Sequence, residues 1–168
     1  MYYYVNDDTK LTIDQVYACL FNDSFNSYYE EAIALVKKEL VGLDYGGCPN
    51  YLHALRMGSA AFHIGDMAGD VTTAAILHDV LEDTDITGNE LSGMFGEKVW
   101  ALVDAVSRKQ GQTYFEFIQQ VIDAGPGAIK IKLLDINDHL FYKENINESL
   151  IKRYVKAEQM LKAALEKS

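Results

Sequence analysis

Histidine and carboxylate side chains are concentrated between residues 72 and 84, where His78-Asp79 is followed by Glu82 and Asp83. In a helix, His78 lies one turn before Glu82. Asp79 lies one turn before Asp83 and forms a second pair beside the first. An imidazole nitrogen beside carboxylate oxygens is a suitable start for a divalent metal site. This stretch therefore predicts metal chemistry, and a hydrogen-bonded core histidine is the structural alternative.

The same stretch predicts one continuous buried helix. Apolar residues cover nearly every side of a 3.6-residue period: Val71, Ala74, Ala75, Ile76, Leu77, Val80 and Leu81. The carboxylates fall near its C-terminal end, where the negative end of the helix dipole disfavours them. A bound cation would offset that cost, which supports the metal interpretation.

Two further metal-type side chains stand out by their context. His53 follows a Gly-Cys-Pro segment, and Asp135 interrupts an apolar stretch. Together with His78 and Asp79 they supply imidazole nitrogens and carboxylate oxygens from three predicted helices. This set leaves coordination positions open to water and substrate. It is therefore more typical of a site for Mn²⁺, Fe²⁺ or a similar ion than of a closed structural zinc site.

Composition and charge narrow the class of protein. The 168 residues are enough for one domain with a sizeable core, and 49% apolar with 24% charged residues is ordinary for a soluble globular protein. The net charge of −10 argues against nucleic-acid binding. Without a signal peptide, a membrane-length apolar run or metal-like cysteine spacing, we expect a cytoplasmic protein that does not bind membranes.

Hydrophobic periodicity predicts an all-α fold of about eight helices in a single domain spanning residues 1–168. The helices are expected from residue 12, at 27–40, from 51, and at 72–84, 90–94, 98–107, 114–122, 129–140 and 147–166. Residues 129–132 alternate as a strand would, but the longer pattern favours helix. The tyrosine-rich residues 1–10 are compatible with a short strand or an ordered arm.

The order of the candidate ligands and their surroundings resembles the HD metal-dependent phosphohydrolase superfamily. Residues 74–84, 95–99 and 131–135 are most similar to the hydrolase domain of RelA/SpoT enzymes and to the small alarmone hydrolases, and the resemblance covers roughly residues 45–140. It implies a helical HD bundle that removes the 3′-pyrophosphate of (p)ppGpp. It also implies a divalent cofactor, Mn²⁺ first, with Fe²⁺, Mg²⁺ or Zn²⁺ as alternatives.

The resemblance also implies roles for individual residues. The metal ligands carried over by position are His53, His78, Asp79 and Asp135. Glu82 and Asp83 become catalytic residues that position or activate the attacking water. Lys132 lies beside the site as a structural or phosphate-facing cation.

Departures from the family pattern concern the substrate. The basic segment that precedes the first histidine in the family is replaced by residues 43–47, which contain neither Arg nor Lys, and the common His-Pro pair is His53-Ala54. The family often has Asn four residues after the last Asp ligand, where this chain has a histidine. The candidate substrate-binding residues are Arg56, Lys132, Asp138 and His139, and the last two are equally compatible with a supporting or an exposed position.

The sequence thus predicts a divalent-metal-dependent phosphohydrolase whose partner is a small phosphorylated nucleotide, with (p)ppGpp as the first candidate. The alternatives are an HD phosphohydrolase of another nucleotide and a non-catalytic HD module that senses a nucleotide. Glu82 and Asp83 favour an enzyme, because a sensor needs no carboxylates that activate water.

Overall fold

The computed structural model describes residues 2–4, 10–12, 23–42, 44–45, 48–64, 69–141 and 147–168, and most of them are helical. The helices are α1 (Asp23–Tyr28), α2 (Glu30–Glu39), α3 (Asn50–His63), α4 (Asp70–Leu77), α5 (Val80–Asp83), α6 (Gly88–Phe95), α7 (Glu97–Val106), α8 (Tyr114–Asp123), α9 (Pro126–Phe141) and α10 (Glu148–Leu165). The predicted all-α class is confirmed. No helix in these ranges is both long enough and apolar enough to cross a bilayer.

Two short antiparallel strand pairs accompany the helices. Strand β1 (Tyr2–Tyr4) pairs with β2 (Lys10–Thr12), so the tyrosine-rich segment contains a strand. The helix predicted from residue 12 is not found at Thr12 itself, and its remainder lies outside the described residues. Strand β3 (Asp44–Tyr45) pairs with β4 (Cys48–Pro49), which leads directly into α3 and places His53 in its first turn.

The prediction of one continuous helix over residues 72–84 was wrong. Helix α4 ends at Leu77, a turn follows at His78 and Asp79, and α5 begins at Val80. The carbonyl oxygen of Asp79 accepts hydrogen bonds from the amides of Glu82, at 3.1 Å, and Asp83, at 2.9 Å. These bonds start a new helix. Because Glu82 and Asp83 are the third and fourth residues of a four-residue helix, and not the end of a long one, the dipole argument made for them does not apply.

The other predicted helices are present with small shifts at their ends. The segment predicted at 27–40 contains α1 and α2, which are separated at Tyr29. Gly96, with φ of 87°, ends α6, and capping boxes at Thr87 and Thr113 begin α6 and α8. The preference for helix over strand at residues 129–140 is confirmed by α9.

Helix α9 lies at the centre of the bundle, in contact with α3, α4, α7, α8 and α10. Its apolar residues are almost fully buried: Ala128, Ile129, Ile131, Leu133, Leu134 and Ile136. Helix α3 packs closely on α4, because Gly58 leaves room for Ile76, whose Cγ1 would lie 2.2 Å from a Cβ at that position. Polar side chains of α3, of the turn that follows α4, and of α9 meet inside the protein.

Candidate metal centre

His53 is held in the interior by a buried carboxylate of α9. Its Nδ1 lies 2.7 Å from Oδ2 of Asp138, and Arg56 donates to both oxygens of the same carboxylate, from Nε at 2.9 Å and Nη2 at 2.8 Å. Burial alone would raise the pKa of Asp138, but Arg56 and His53 hold it well below its usual range. An ionised carboxylate only accepts, so Nδ1 of His53 carries a proton, and Nε2 presents its lone pair to an ion once its own proton is displaced.

His78 is oriented in a similar way by the backbone of α4. Its Nδ1 lies 3.0 Å from the carbonyl oxygen of Ala75, which can only accept a hydrogen bond. The proton therefore lies on Nδ1, and Nε2 of His78 also presents a lone pair. The Nε2 atoms of His53 and His78 are 3.1 Å apart. Without an ion, a proton on Nε2 of His53 can be donated to Nε2 of His78 across this distance. A divalent cation bound by both nitrogens would take the place of that proton.

Carboxylate oxygens complete the group around these two nitrogens. Asp79 places Oδ1 3.1 Å from Nε2 of His78, and Asp135 places Oδ1 3.3 Å from Nε2 of His53. Ligands bound about 2.1 Å from one ion lie about 3.0–3.4 Å from each other. Among the described residues, Oδ1 of Asp135 is buried and has no hydrogen-bond partner. The donor types, their spacing and this unsatisfied oxygen fit a divalent cation.

The electrostatics of the group also favour positive charge. Burial opposes protonation of His53, but Asp138, Asp135 and Asp79 together raise its pKa to about 10. Burial would raise the pKa of Asp79, but the nearby His78 lowers it to about 2. The carboxylates that favour a proton on the histidines would favour a metal cation at the same place.

Lys132 and His139, both on α9, lie against Asp135. The ammonium group of Lys132 lies 2.5 Å from Oδ2 of Asp135 and 4.8 Å from the ring centre of Phe117. Nε2 of His139 lies 3.0 Å from Oδ1 of Asp135. Burial opposes the charge of Lys132, but Asp135 raises the pKa of the ammonium group, so the two remain an ion pair. Both residues predicted to bind substrate thus border the ligand group.

Arg56 and Asp138, also predicted to bind substrate, have a different position. Arg56 is only 2% exposed, and Asp138 is fully buried. Because both carboxylate oxygens of Asp138 are used inside the protein, the structure does not support direct contact of this pair with substrate. Their contacts instead orient His53.

Glu82 and Asp83 lie on the exposed side of the group, on α5. Oε1 of Glu82 accepts a hydrogen bond from the backbone amide of Arg108 at 3.0 Å. Oδ2 of Asp83 accepts one from Nδ2 of Asn50 at 3.1 Å. Partial burial raises the pKa of Glu82, and partial burial together with Asp79 raises that of Asp83. Carboxylates with raised pKa values in reach of water are suited to take up a proton.

Several residues near the site were not predicted. Asn50 precedes His53 by three residues, so helical spacing could have indicated it. Nothing in the sequence links Glu82 to the amide of Arg108. The ring of Tyr154 lies 5.2 Å from that of His139, and burial followed by the charge of Asp135 raises the pKa of this tyrosine to about 12.

Comparison with known proteins bears on this arrangement. The model of the HD domain family matches residues 32–125, and Asp135 lies beyond the matched range. The chain is 31% identical over 124 residues to a guanosine-3′,5′-bis(diphosphate) 3′-pyrophosphohydrolase of Aquifex aeolicus, covering 71% of this chain and 17% of the relative.

Two further relatives have the same printed activity. The Danio rerio protein is 30% identical over 106 residues, which cover 62% of this chain and 59% of the relative. The Vibrio cholerae protein is 41% identical over 64 residues, which cover 37% of this chain and 9% of the relative. The chain therefore spans less than two thirds of the length of each of these relatives.

Proposed function

The chain belongs to the HD domain family, and we propose that it is a divalent-metal-dependent hydrolase that removes the 3′-pyrophosphate of (p)ppGpp. One observation carries the metal part of this proposal. The Nε2 atoms of His53 and His78 lie 3.1 Å apart, beside a buried oxygen of Asp135 that has no hydrogen-bond partner among the described residues. The substrate part is supported by the printed activities of the three relatives.

The proposed metal ligands are His53, His78, Asp79 and Asp135. They combine two nitrogens with carboxylate oxygens, a donor set that accepts Mn²⁺, Fe²⁺ or Zn²⁺. When bound, such an ion polarises phosphoryl oxygens and lowers the pKa of a water molecule. The interior contacts of Asp138 and Ala75 fix the imidazoles in the tautomers that this role requires.

Glu82 and Asp83 are the proposed proton acceptors. They are more exposed than the metal ligands, and their carboxyl groups are each held by one hydrogen bond from another segment. A carboxylate in this position can orient the attacking water and take up the proton that it loses. Their raised pKa values favour that uptake.

The cations available to substrate are limited. Lys132 is paired with Asp135 and Arg56 with Asp138, while the whole chain has a net charge of −10. A nucleotide with several phosphates needs cations besides the metal to offset its desolvation. We therefore expect weak discrimination of guanine and a high KM for (p)ppGpp.

The test is metal-dependent release of pyrophosphate by purified, Mn²⁺-loaded protein. The substrates are ppGpp, pppGpp, their adenine counterparts, and ordinary nucleoside mono-, di- and triphosphates. We expect pyrophosphate from the alarmones and none after treatment with a chelator. Cleavage of a simple nucleotide alone would contradict the alarmone assignment but not a hydrolase, whereas a metal-loaded protein that cleaves nothing would support the sensor alternative.

A further inference from the structure

His139 approaches the candidate metal centre in a way that its pairing with Asp135 does not explain. The two residues are one turn apart on α9, and Nε2 of His139 lies 3.0 Å from Oδ1 of Asp135. Yet that oxygen is buried and, within the part of the chain that the structure describes, has no hydrogen-bond partner of good geometry. Two ligands of one octahedral ion have about this separation, and they do not point at each other.

The ring of His139 is also held in place. Its centre lies 5.4 Å from that of His53 and 5.2 Å from that of Tyr154, and the rings of His139 and Tyr154 are inclined by 31°. The side chain is 25% exposed, so it lies at the open edge of the centre. A ligand at this edge is oriented before an ion arrives, which limits the entropy lost on binding.

The described residues contain two groups of three metal-type atoms that each lie within 4.8 Å of one another. One consists of His53, His78 and Asp79, and the other of His53, Asp135 and His139. Both groups include His53, so they adjoin at its Nε2. A single ion near that atom has donors on both sides.

We propose that His139 is a metal ligand of this chain, which adds a third imidazole to the two in the proposed set. This inference rests on the metal centre of the proposed function. An additional nitrogen favours Zn²⁺, Co²⁺ and Fe²⁺ over Mg²⁺ and Mn²⁺, because imidazole suits the former ions and oxygen ligands suit the latter. The chain would thus differ in metal preference from relatives that have asparagine at this position.

The test compares the metal-free wild type with His139→Asn, which removes the imidazole and keeps a polar side chain. Co²⁺ is titrated into each protein while its visible absorption is recorded, and Zn²⁺ and Mn²⁺ affinities are measured by competition with a chelating dye. We expect His139→Asn to lose about tenfold or more in Co²⁺ and Zn²⁺ affinity, less in Mn²⁺ affinity, and to have a changed Co²⁺ spectrum. His63→Asn, which removes an exposed histidine at the end of α3, should match the wild type.

A second variant separates ligation from a loss of folding. His139→Gly should recover Co²⁺ affinity and the wild-type spectrum when free imidazole is added, because the small molecule can replace the missing ring. Unchanged affinities and an unchanged spectrum in His139→Asn would overturn the proposal. Failure of imidazole to restore the spectrum in a His139→Gly protein with native circular dichroism would also overturn it.

The outcome is distinguishable from failure of the proposed function. A wild type that binds Co²⁺ through His139 but cleaves no nucleotide would retain this inference and contradict the hydrolase. A wild type that cleaves (p)ppGpp, with metal binding unaffected in His139→Asn, would contradict this inference alone.

Discussion

The two sides of the candidate site differ in how their residues are held. On the interior side, defined here as His53, His78 and Asp135, the side chains are at most 4% exposed. On the outer side, defined as Glu82 and Asp83, they are exposed. Two interior contacts fix the imidazole tautomers, whereas each outer carboxylate has one hydrogen bond from a distant segment.

This difference separates binding from chemistry. Ligands that must hold an ion in one geometry benefit from rigid surroundings that need no reorganisation. Carboxylates that exchange protons with water must remain accessible to it. Under the proposed function, metal affinity therefore depends on the interior side and turnover on the outer side, and substitutions on each side should affect different measurements.

The largest effect is expected from removal of a proposed metal ligand. His78→Ala or Asp79→Ala should lose the metal and all metal-dependent hydrolysis, because too few donors remain to bind the ion. Metal content per chain, measured by mass spectrometry after gel filtration, checks this result. His63→Ala is the control, and stoichiometric metal in both ligand variants would remove the proposed site.

The next largest effect concerns the buried contact behind His53. Asp138→Ala removes the carboxylate that accepts hydrogen bonds from Arg56 and that lies against Nδ1 of His53. Loss of one member of a buried ion pair should cost about 3–5 kcal/mol of unfolding free energy. Urea denaturation measures this cost, and metal titration measures the effect on His53. We expect the double variant Arg56→Leu/Asp138→Leu to recover stability but not metal affinity. Wild-type values for both properties in Asp138→Ala would contradict the proposed role of this contact.

On the outer side, Glu82→Gln should retain the metal and lose turnover by about a hundredfold, because the amide cannot accept the proton. Asp83→Asn should behave similarly. The measurements are metal content and the initial rate of pyrophosphate release on the same preparations. Asp85→Asn, an exposed carboxylate two residues further on, is the matched control. Unchanged rates in both outer variants would show that these carboxylates do not take part.

The smallest effect, counted per pH unit, is a pH dependence of metal affinity. In the metal-free protein, nearby carboxylates outweigh burial and raise the pKa of His53 to about 10, so the site holds a proton below that pH. A metal must displace this proton, and affinity should therefore rise with pH, by up to about tenfold per pH unit between pH 6 and 9. Mn²⁺ titrations across this range check the slope, and an affinity independent of pH would show that no proton is displaced.

The sequence predicted the candidate ligands but not what holds them. Metal-type residues in the order of a known family indicated His53 and His78, although 25 residues separate them. The contact of Arg56 with Asp138 spans 82 residues, and spacing alone contains no information about it. Only the packing of α3 against α9 brings that pair together.

The break at His78 was missed for another reason. Apolar residues continue through Val80 and Leu81, so their pattern predicts helix on both sides of the turn and does not mark the turn itself. Longer patterns were more reliable. At Ile129 a four-residue alternation suggested a strand, but the periodicity through Leu140 predicted the helix that is found.

The most direct test of the account is anomalous diffraction at the manganese edge from crystals grown with saturating Mn²⁺. We predict one strong peak bonded to Nε2 of His53, His78 and His139 and to carboxylate oxygens of Asp79 and Asp135. We predict no direct bond from the ion to Glu82. An empty interior site at saturating Mn²⁺, or an ion bound through Glu82 in place of the histidines, would contradict the account.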